Sequence, residues 1–448
     1  MNSVEETRHW LVEQLKPTFD VVEQELKAKE KECVFLFIKT LTNNQEIQLN
    51  FIKPFFEIQT TEDFISYLRS MPNGQEIESD EQVLKDLTKG SLAIFTKKEI
   101  FLFDVKEVKN NTILTAAVET TIQGPQMALS ESVQINMNLI RHRYHQPNLT
   151  FEISEIGEKS KQNLVLIYDK DEVNSAVLER IKRELPQINR PIIQAAGELH
   201  RLFNGRRLAL FPTMMITERP DRIIYNIAQG KVIILLDGNP FALMAPAVFF
   251  DFMSSMDDVY QSYWVSKFLK ALRYLGLFIS LILPGMYVGI TSFNPEVFEP
   301  QLALSVAASR AGVPYPSYME VLFMLIAMEL LVEASIRLPK TISGTATTVG
   351  GLILGTAATE AALVSNIMII IVAAVAISNF AIPINEMSFS MRVMKYVLLL
   401  IATLSGLVGL LLGLIGLIFY LVNQNSFGEP YLKIFWQKKE DETKGVSQ

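Results

Sequence analysis

Four ionisable residues interrupt an otherwise apolar stretch, Tyr318–Pro339 (YMEVLFMLIAMELLVEASIRLP): Glu320 and, four positions apart, Glu329, Glu333 and Arg337. At that spacing the last three drift slowly around a helix and share one face, leaving Leu, Met, Phe and Ile on the other. The stretch is long enough to cross a bilayer, at about 1.5 Å per residue over a core of roughly 30 Å. A charge at bilayer depth costs about 2.5–3.5 kcal/mol on insertion scales, so this face must look at protein or water rather than lipid. Glu333 and Arg337 can pair with the acid N-terminal, the favourable order, whereas Glu329 has no partner on its own helix. The chemistry open to such a face is ion passage along a polar surface. A helix lying at the membrane surface, or a cluster satisfied by a neighbouring helix, explains the same pattern. The formal excess of one negative charge suits cations over anions, and protonation of a buried Glu329 would remove it.

A second constellation is Thr217-Glu218-Arg219-Pro220-Asp221-Arg222 (TERPDR). Thr217 can cap a helix starting near Pro220, with proline in its first turn and Asp221 at the positive end of its dipole. Glu218 and Arg219 then sit at the helix entry, available to a neighbour. An ordinary capped helix explains most of this. A route from Thr217–Arg222 through Asp257-Asp258 to the first membrane span is expected from proximity in sequence. Other chemistries lack residues. There is no phosphate loop, no G-x-G-x-x-G, no H-E-x-x-H and no G-x-S-x-G. His142 and His145 are flanked by Arg141 and Arg143, which disfavours a cation. No enzyme, cofactor or metal role is expected. Cys33, the single cysteine, excludes a disulfide within one chain. A net charge of −7 without a basic cluster gives no footing for nucleic acid.

The elements that must position these residues divide the 448-residue chain into unlike halves, hidden in a mean hydropathy of +0.23. The first is charged and mixed. After Ala271 long apolar runs dominate: between Thr341 and Met391 only Glu360 and Glu386 are charged, and from Val397 to Gly428 nothing is. The expected fold is an α/β soluble N-terminal region of two subdomains followed by an all-α polytopic membrane domain. Its parts are an α/β subdomain at 1–120, a linker helix at 121–146, a second α/β subdomain at 147–265, a membrane domain at 266–425 and a short polar tail at 426–448. No signal peptide is read at the amino terminus.

Arg8–Lys31 reads as an amphipathic helix through Leu11, Leu15, Phe19, Val22 and Leu26, and Cys33–Lys39 as a strand. Phe64–Met71 and Glu81–Leu87 read as helices, and Ser91–Thr96 and Glu99–Val105 as paired strands. Gln126–Tyr144 has helical spacing. Leu149–Ile156 and Asn163–Tyr168 read as strands, Asp171–Glu184 as a helix, and Val232–Leu236 as a strand returning through Asp237-Gly238 to Phe241–Met244.

Candidate spans are Ala271–Ile290, Tyr318–Ile336, Ile342–Thr359, Asn366–Ile384 and Val397–Val422. Lys267, Lys270 and Arg273 head the first, placing the soluble part on the cytoplasmic side. Five spans then put the C-terminus outside, against the preference of Lys433, Lys438 and Lys439. Either Gln301–Ala311 re-enters the membrane, or Val397–Val422 bends at its glycines. Gly344, Gly351 and Gly355, and Gly406, Gly409, Gly413 and Gly416, mark close helix packing, within one bundle or between copies.

The run FPTMMITERPDRIIYNIAQGKVIILLDGNPFALMAPAVFF, then PYPSYMEVLFM and ELLVEASIRLP, resembles the A subunit of the GerA-type spore germinant receptors. Upstream, IQGPQMALSESVQINMNLIRHRY and EISEIGEKSKQNLVLIY resemble the same family, so the similarity runs from about Gly90 to Tyr431. The resemblance implies a multi-pass subunit in the inner membrane of an endospore, acting with a transporter-like B subunit, which binds the nutrient germinant, and a lipoprotein C subunit. It implies oligomerisation and an ion path opened by germinant. The alternatives are a scaffold that assembles the receptor without conducting and, third, a secondary transporter, for which no repeat with paired broken helices is seen.

Overall fold

A computed structural model describes residues 4–15, 18–28, 31–75, 77, 79–107, 114–203 and 209–433, apart from the side chain of Lys340; the tail bearing Lys438 and Lys439 lies outside the described residues. The first unit runs α1 (Val4–Leu15), β1 (Val21–Ala28), β2 (Lys31–Ile38), α2 (Asn44–Ile47), α3 (Lys53–Glu57), α4 (Thr61–Ser70), β3 (Gly74–Gln75), α5 (Asp80–Leu87), β4 (Ser91–Phe95) and β5 (Ile100–Asp104). Its antiparallel sheet has the order β1-β2-β4-β5-β3. β2 is apolar from Cys33 to Ile38 because both its faces are covered there. Phe35 and Phe37 pack towards α2–α4, while Val34, Leu36 and Ile38 pack towards α1 and α5.

The helix expected over Arg8–Lys31 ends at Leu15, and Val21–Ala28 pairs with β2 from Val21↔Ile38 to Ala28↔Lys31. The reason lies in a mixed pattern: Val22, Leu26 and Ala28 also fit period two, and Glu23, Glu25 and Lys27 between them suit an edge strand. The strands and helices expected from Phe64 to Val105 are present as α4, α5, β4 and β5.

The second unit repeats the first. It runs α6 (Val133–Arg141), β6 (Leu149–Ile156), β7 (Gln162–Asp169), α7 (Ser175–Glu184), α8 (Ala196–Phe203), β8 (Met215–Thr217), α9 (Pro220–Ile227), β9 (Val232–Leu236) and β10 (Ala242–Ala245). The strand order β6-β7-β9-β10-β8 matches that of the first sheet, strand for strand. The Asp237-Gly238 hairpin forms as expected, with Gly238 at φ 75°. α7 starts later than expected, at Ser175, because Asn174 accepts the capping bond from the Ala176 amide.

α6 is shorter than the linker helix read over Gln126–Tyr144, and it packs between the units. Val133, Met137 and Ile140 enter the second core. Asn138 Nδ2 donates to the carbonyls of Thr40 and Glu107, and the fully buried Arg141 pairs with the fully buried Asp20 at 3.0 Å. Burial pushes the Asp20 carboxyl up, but Arg141 and the hydroxyls of Thr18 and Thr40 outweigh it and hold the group below its usual range.

The helical part comprises α10 (Asp257–Tyr260), α11 (Tyr263–Phe293), α12 (Pro300–Arg310), α13 (Ser317–Arg337), α14 (Lys340–Glu360), α15 (Asn366–Phe380) and α16 (Asn385–Asn423). Among the described residues, α11 and α16 are long and apolar enough to cross a membrane. α16 breaks at Gly406 (φ 65°, ψ −149°). Beyond it the chain doubles back: a Cβ on Gly413 would meet Leu398 Cδ2 at 2.8 Å, although fifteen helical residues would span about 22 Å. The bend at the glycines, one of the two expected ways out of the span-count conflict, is therefore present. Phe293, at the far end of α11, lies against Gly406.

The returning leg ends beside the second α/β unit. Gln424 Nε2 donates to Phe211 O at 2.9 Å, and Ser426 Oγ donates to Thr213 O at 2.7 Å. The fully buried Tyr431 donates to Pro212 O at 2.8 Å. Residues 426–431, expected to begin a separate tail, are thus part of this unit's surface, where β11 (Asn425–Ser426) pairs with β12 (Glu429–Pro430).

Candidate functional site

The TERPDR residues sit where edge strand β8 hands over to α9. Thr217 does not cap α9. Its Oγ1 accepts from the Arg219 amide at 3.1 Å, and Arg219 itself holds the cap position with extended backbone. Proline at the first helical position and Asp221 in the first turn are as expected. The Arg219 side chain is wholly buried and every nitrogen of its fork is used. Nε and Nη2 donate to Asp221 at 3.1 and 2.6 Å, Nη1 to Glu119 O and Thr121 Oγ1, and Nη2 also to Pro125 O.

These acceptors belong to a strap, residues 114–128, clasped at its base by backbone bonds between Ala116 and Gln126 and between Ala128 and Leu114. Glu218 holds the same strap by accepting the amides of Val118 and Glu119. Arg222 faces Glu119 Oε2 at 2.7 Å and reaches Ser254 O.

From the strap the contacts run on to the helices. The Tyr260 hydroxyl donates to Asp221 Oδ2 at 2.6 Å, and Asp257 Oδ1 accepts the Ile122 amide. Asp258, buried, pairs with Arg273 of α11 at 2.5 Å. Contacts therefore run from Thr217–Arg222 through Tyr260 and Asp257-Asp258 to the head of α11. Burial raises both ionisable partners at its centre. For Asp221 the bonds from Arg219 and Tyr260 outweigh it and leave the carboxyl below its usual range, whereas burial and Asp221 together push Tyr260 up to about 12.

Gly124 lies against the Tyr260 ring, and a Cβ there would come within 2.5 Å of it at φ 144°. Gly124→Ala is therefore expected to displace the ring and break its bond to Asp221. Tyr260 would then titrate nearer its usual value of about 10 in a spectrophotometric titration of the full chain, with Tyr260→Phe as the blank.

In the bundle, Glu329 finds its partners on α16. Arg392 bonds one carboxylate oxygen, and the buried Lys395 bonds the other at 3.1 Å. Glu333 and Arg337 form the expected pair at 2.8 Å and stay exposed. With Arg392 and Lys395 counted, three bases face two acids, so the negative excess read from α13 alone is reversed to a positive one.

Glu320, noted in the sequence only as a charge, is buried at the opposite end of α13. It accepts from the amide and hydroxyl of Ser365 and faces Arg310 at 3.4 Å. Among the described residues a Cβ on Gly344 or Gly351 would meet no atom within 4 Å, whereas one on Gly350 would touch Leu331 and one on Gly355 would touch Ile369. Sequence reading missed Glu119, Tyr260, Arg273, Arg392 and Lys395 as partners. The only signal was charge in otherwise apolar surroundings, which Arg392 and Lys395 do show.

Two α/β units of the same strand order are strapped onto a helical bundle in which α11 and α16 are long and apolar enough to cross a membrane. Comparison with known proteins gives the family. The Bacillus/Clostridium GerA spore germination protein family matches residues 9–447. Spore germination protein KA of Bacillus subtilis (strain 168) is 33% identical over 424 residues, covering 92% of this chain and 78% of that protein. Spore germination protein GerLA of Bacillus cereus is 38% identical over 313 residues, covering 70% of this chain and 64% of that protein. The crystal structure of the N-terminal domain of the A subunit of the Bacillus megaterium spore germinant receptor GerK3 is 23% identical, with a TM-score of 0.41, covering 55% of this chain and 96% of that one. The chain belongs to the GerA family of spore germination proteins, the A-type subunits of germinant receptors.

Proposed function

We propose that this subunit transduces germinant binding into ion release, and that it does so as the oligomeric ion-conducting subunit of the receptor in the spore inner membrane. It acts with a transporter-like B subunit and a lipoprotein C subunit, and its soluble units lie on the cytoplasmic side. The observation that carries this reading is α14. This helix of 21 residues, rich in Gly, Thr and Ala, packs mainly on α13 and leaves Gly344 and Gly351 facing open space. In a bilayer such a face is complete only when another copy or subunit packs on it. The membrane entry has support of its own. Tyr263, Trp264 and Phe268 are exposed at the head of α11 beside Lys267 and Lys270, the aromatic and basic composition of an interface facing the cytoplasm.

The scaffold reading is favoured by one observation, the engagement of Glu329 by Arg392 and Lys395, which makes that carboxylate a fastening between helices. The test is potassium leak in vegetative cells making this chain alone and with its B and C partners. Gly351→Leu and Glu333→Gln are compared with the wild type at equal abundance. A conducting subunit loses flux by about tenfold or more in Gly351→Leu, since a bulky side chain separates backbones that must approach. It also shows altered cation preference in Glu333→Gln. Unchanged flux in both, with the receptor assembled, leaves this chain the scaffold.

A further inference from the structure

A pocket of about 330 Å³ opens between the second α/β unit and the turn joining α15 to α16. It lies midway along the contacts described above, with the strap and Glu218 on one wall and Glu386 of α16 on the other. Two turns further along α16 are Arg392 and Lys395, which hold Glu329. The remaining wall is apolar, with Val118, Ile216, Phe241 and Ile384 lining it. Its size falls in the range of small-molecule sites, roughly 300–1,000 Å³.

The charge on its walls is one-sided. Glu119, Glu218 and Glu386 all line it. Glu218 is satisfied by strap amides; Glu119 Oε2 is ion-paired with Arg222, but neither Glu119 oxygen has a hydrogen-bond partner although the side chain is nine-tenths buried. Glu386 lies near enough to Glu119 for the two charges to act on each other. Arg219 is committed to Asp221 and the strap, and among the described residues Arg222, paired with Glu119, is the guanidinium set against this group. A buried carboxylate oxygen left without a donor is costly, and a second carboxylate beside it makes it more so. What relieves both is a cation that brings its own hydrogen-bond donors, and the apolar wall requires that the rest of the occupant be hydrocarbon.

We propose that this pocket binds a small organic ammonium: a primary amine on an apolar body, its head between Glu119 and Glu386 and its body against Ile216, Phe241 and Ile384. Bound there, it bridges the strap and α16, the two elements through which the soluble units reach the bundle. The binding claim stands apart from ion conduction.

The test is equilibrium dialysis of radiolabelled phenethylamine against the purified full-length chain in detergent, with 2-phenylethanol and 3-phenylpropionate as neutral and anionic probes of the same body. Phenethylamine is expected to bind saturably, one per chain, and about tenfold or more tighter than the alcohol, the factor that a charge-assisted hydrogen bond supplies. Glu386→Gln, at the first turn of α16, is expected to remove that preference while the unfolding temperature stays unchanged. Ile216→Trp, which fills the pocket without touching its charges, is expected to abolish binding of both. Equal binding of amine and alcohol, preference for the carboxylate, or an amine preference that survives Glu386→Gln in a folded protein would overturn the proposal.

Discussion

Arg219→Ala destabilises the full-length chain by about 3–5 kcal/mol, the cost of removing one partner from a buried charge pair. The change deletes five donated bonds at once and leaves Asp221 with the Tyr260 hydroxyl. It also frees the strap from α9 at Glu119, Thr121 and Pro125, so the soluble units lose part of their grip on the helices. Thermal unfolding in detergent reads the first effect. Limited proteolysis between residues 118 and 125 reads the second, as faster cleavage at a temperature where the bundle stays folded. Arg219→Lys recovers little, because an ammonium cannot reproduce the planar five-donor fork. Arg219→Ala combined with Asp221→Ala recovers part of the loss, since no charge is then stranded.

The pH dependence has a definite sign. The Asp221 carboxyl is held below its unfolded value, so its contribution is present above that value, near 3.8, and is lost as pH falls through the folded pKa. In Arg219→Ala the guanidinium no longer outweighs burial, so this acid-side loss shrinks. An Arg219→Ala chain as stable and as protease-resistant as the wild type would remove the junction from any transducing role.

The second large effect is expected in the bundle. Glu329→Gln strands Lys395, whose side chain is 1% exposed, and is expected to destabilise the helices by about 3–5 kcal/mol. Lys395→Met is much milder, about 1 kcal/mol, because Arg392 continues to satisfy Glu329 and an aliphatic chain fits the same space. The double variant Glu329→Gln/Lys395→Met is then more stable than Glu329→Gln alone. The non-additivity is measurable by titration with sodium dodecyl sulfate of protein in mixed micelles. Additive single effects would show that Lys395 and Glu329 do not depend on each other. This cycle also separates two causes of lost ion flux: a variant that conducts poorly but unfolds normally has lost a path, and one that fails both has lost a fastening.

Much of the fold was legible because it follows local rules. β2 and β9 are short apolar runs bounded by polar turns, and Asp237-Gly238 fixes the hairpin between β9 and β10. β1 was not legible as a strand, since Phe19, Val22 and Leu26 keep a helical spacing while Val22, Leu26 and Ala28 keep an alternating one. Only pairing with β2 decides between them. The duplication of the α/β unit was hidden for a different reason: the two units share strand order and helix placement, not residues.

The candidate sites divide the same way. Proline and Asp221 at the start of α9 were readable from helix chemistry. The strap partners of Arg219 lie 94 to 100 residues away, and those of Glu329 lie 63 and 66 away, distances over which no spacing rule operates. The sign of the membrane charge cluster was misread for that reason: the helix that carries Glu329 does not carry the bases that outnumber it.

The reversal at Gly406 also determines how the second α/β unit can move. Without it the end of α16 would lie far from Phe211, Pro212 and Thr213, and the bonds from Gln424, Ser426 and Tyr431 would be lost. With it the unit is held where α11 begins, through Asp258 and Arg273, where α16 ends, through Gln424, Ser426 and Tyr431, and between them by a hydrophobic core shared with α11 and both legs of α16. A unit that shares its core with these helices cannot shift without shifting them, and Arg392 and Lys395 ride on the first leg of α16.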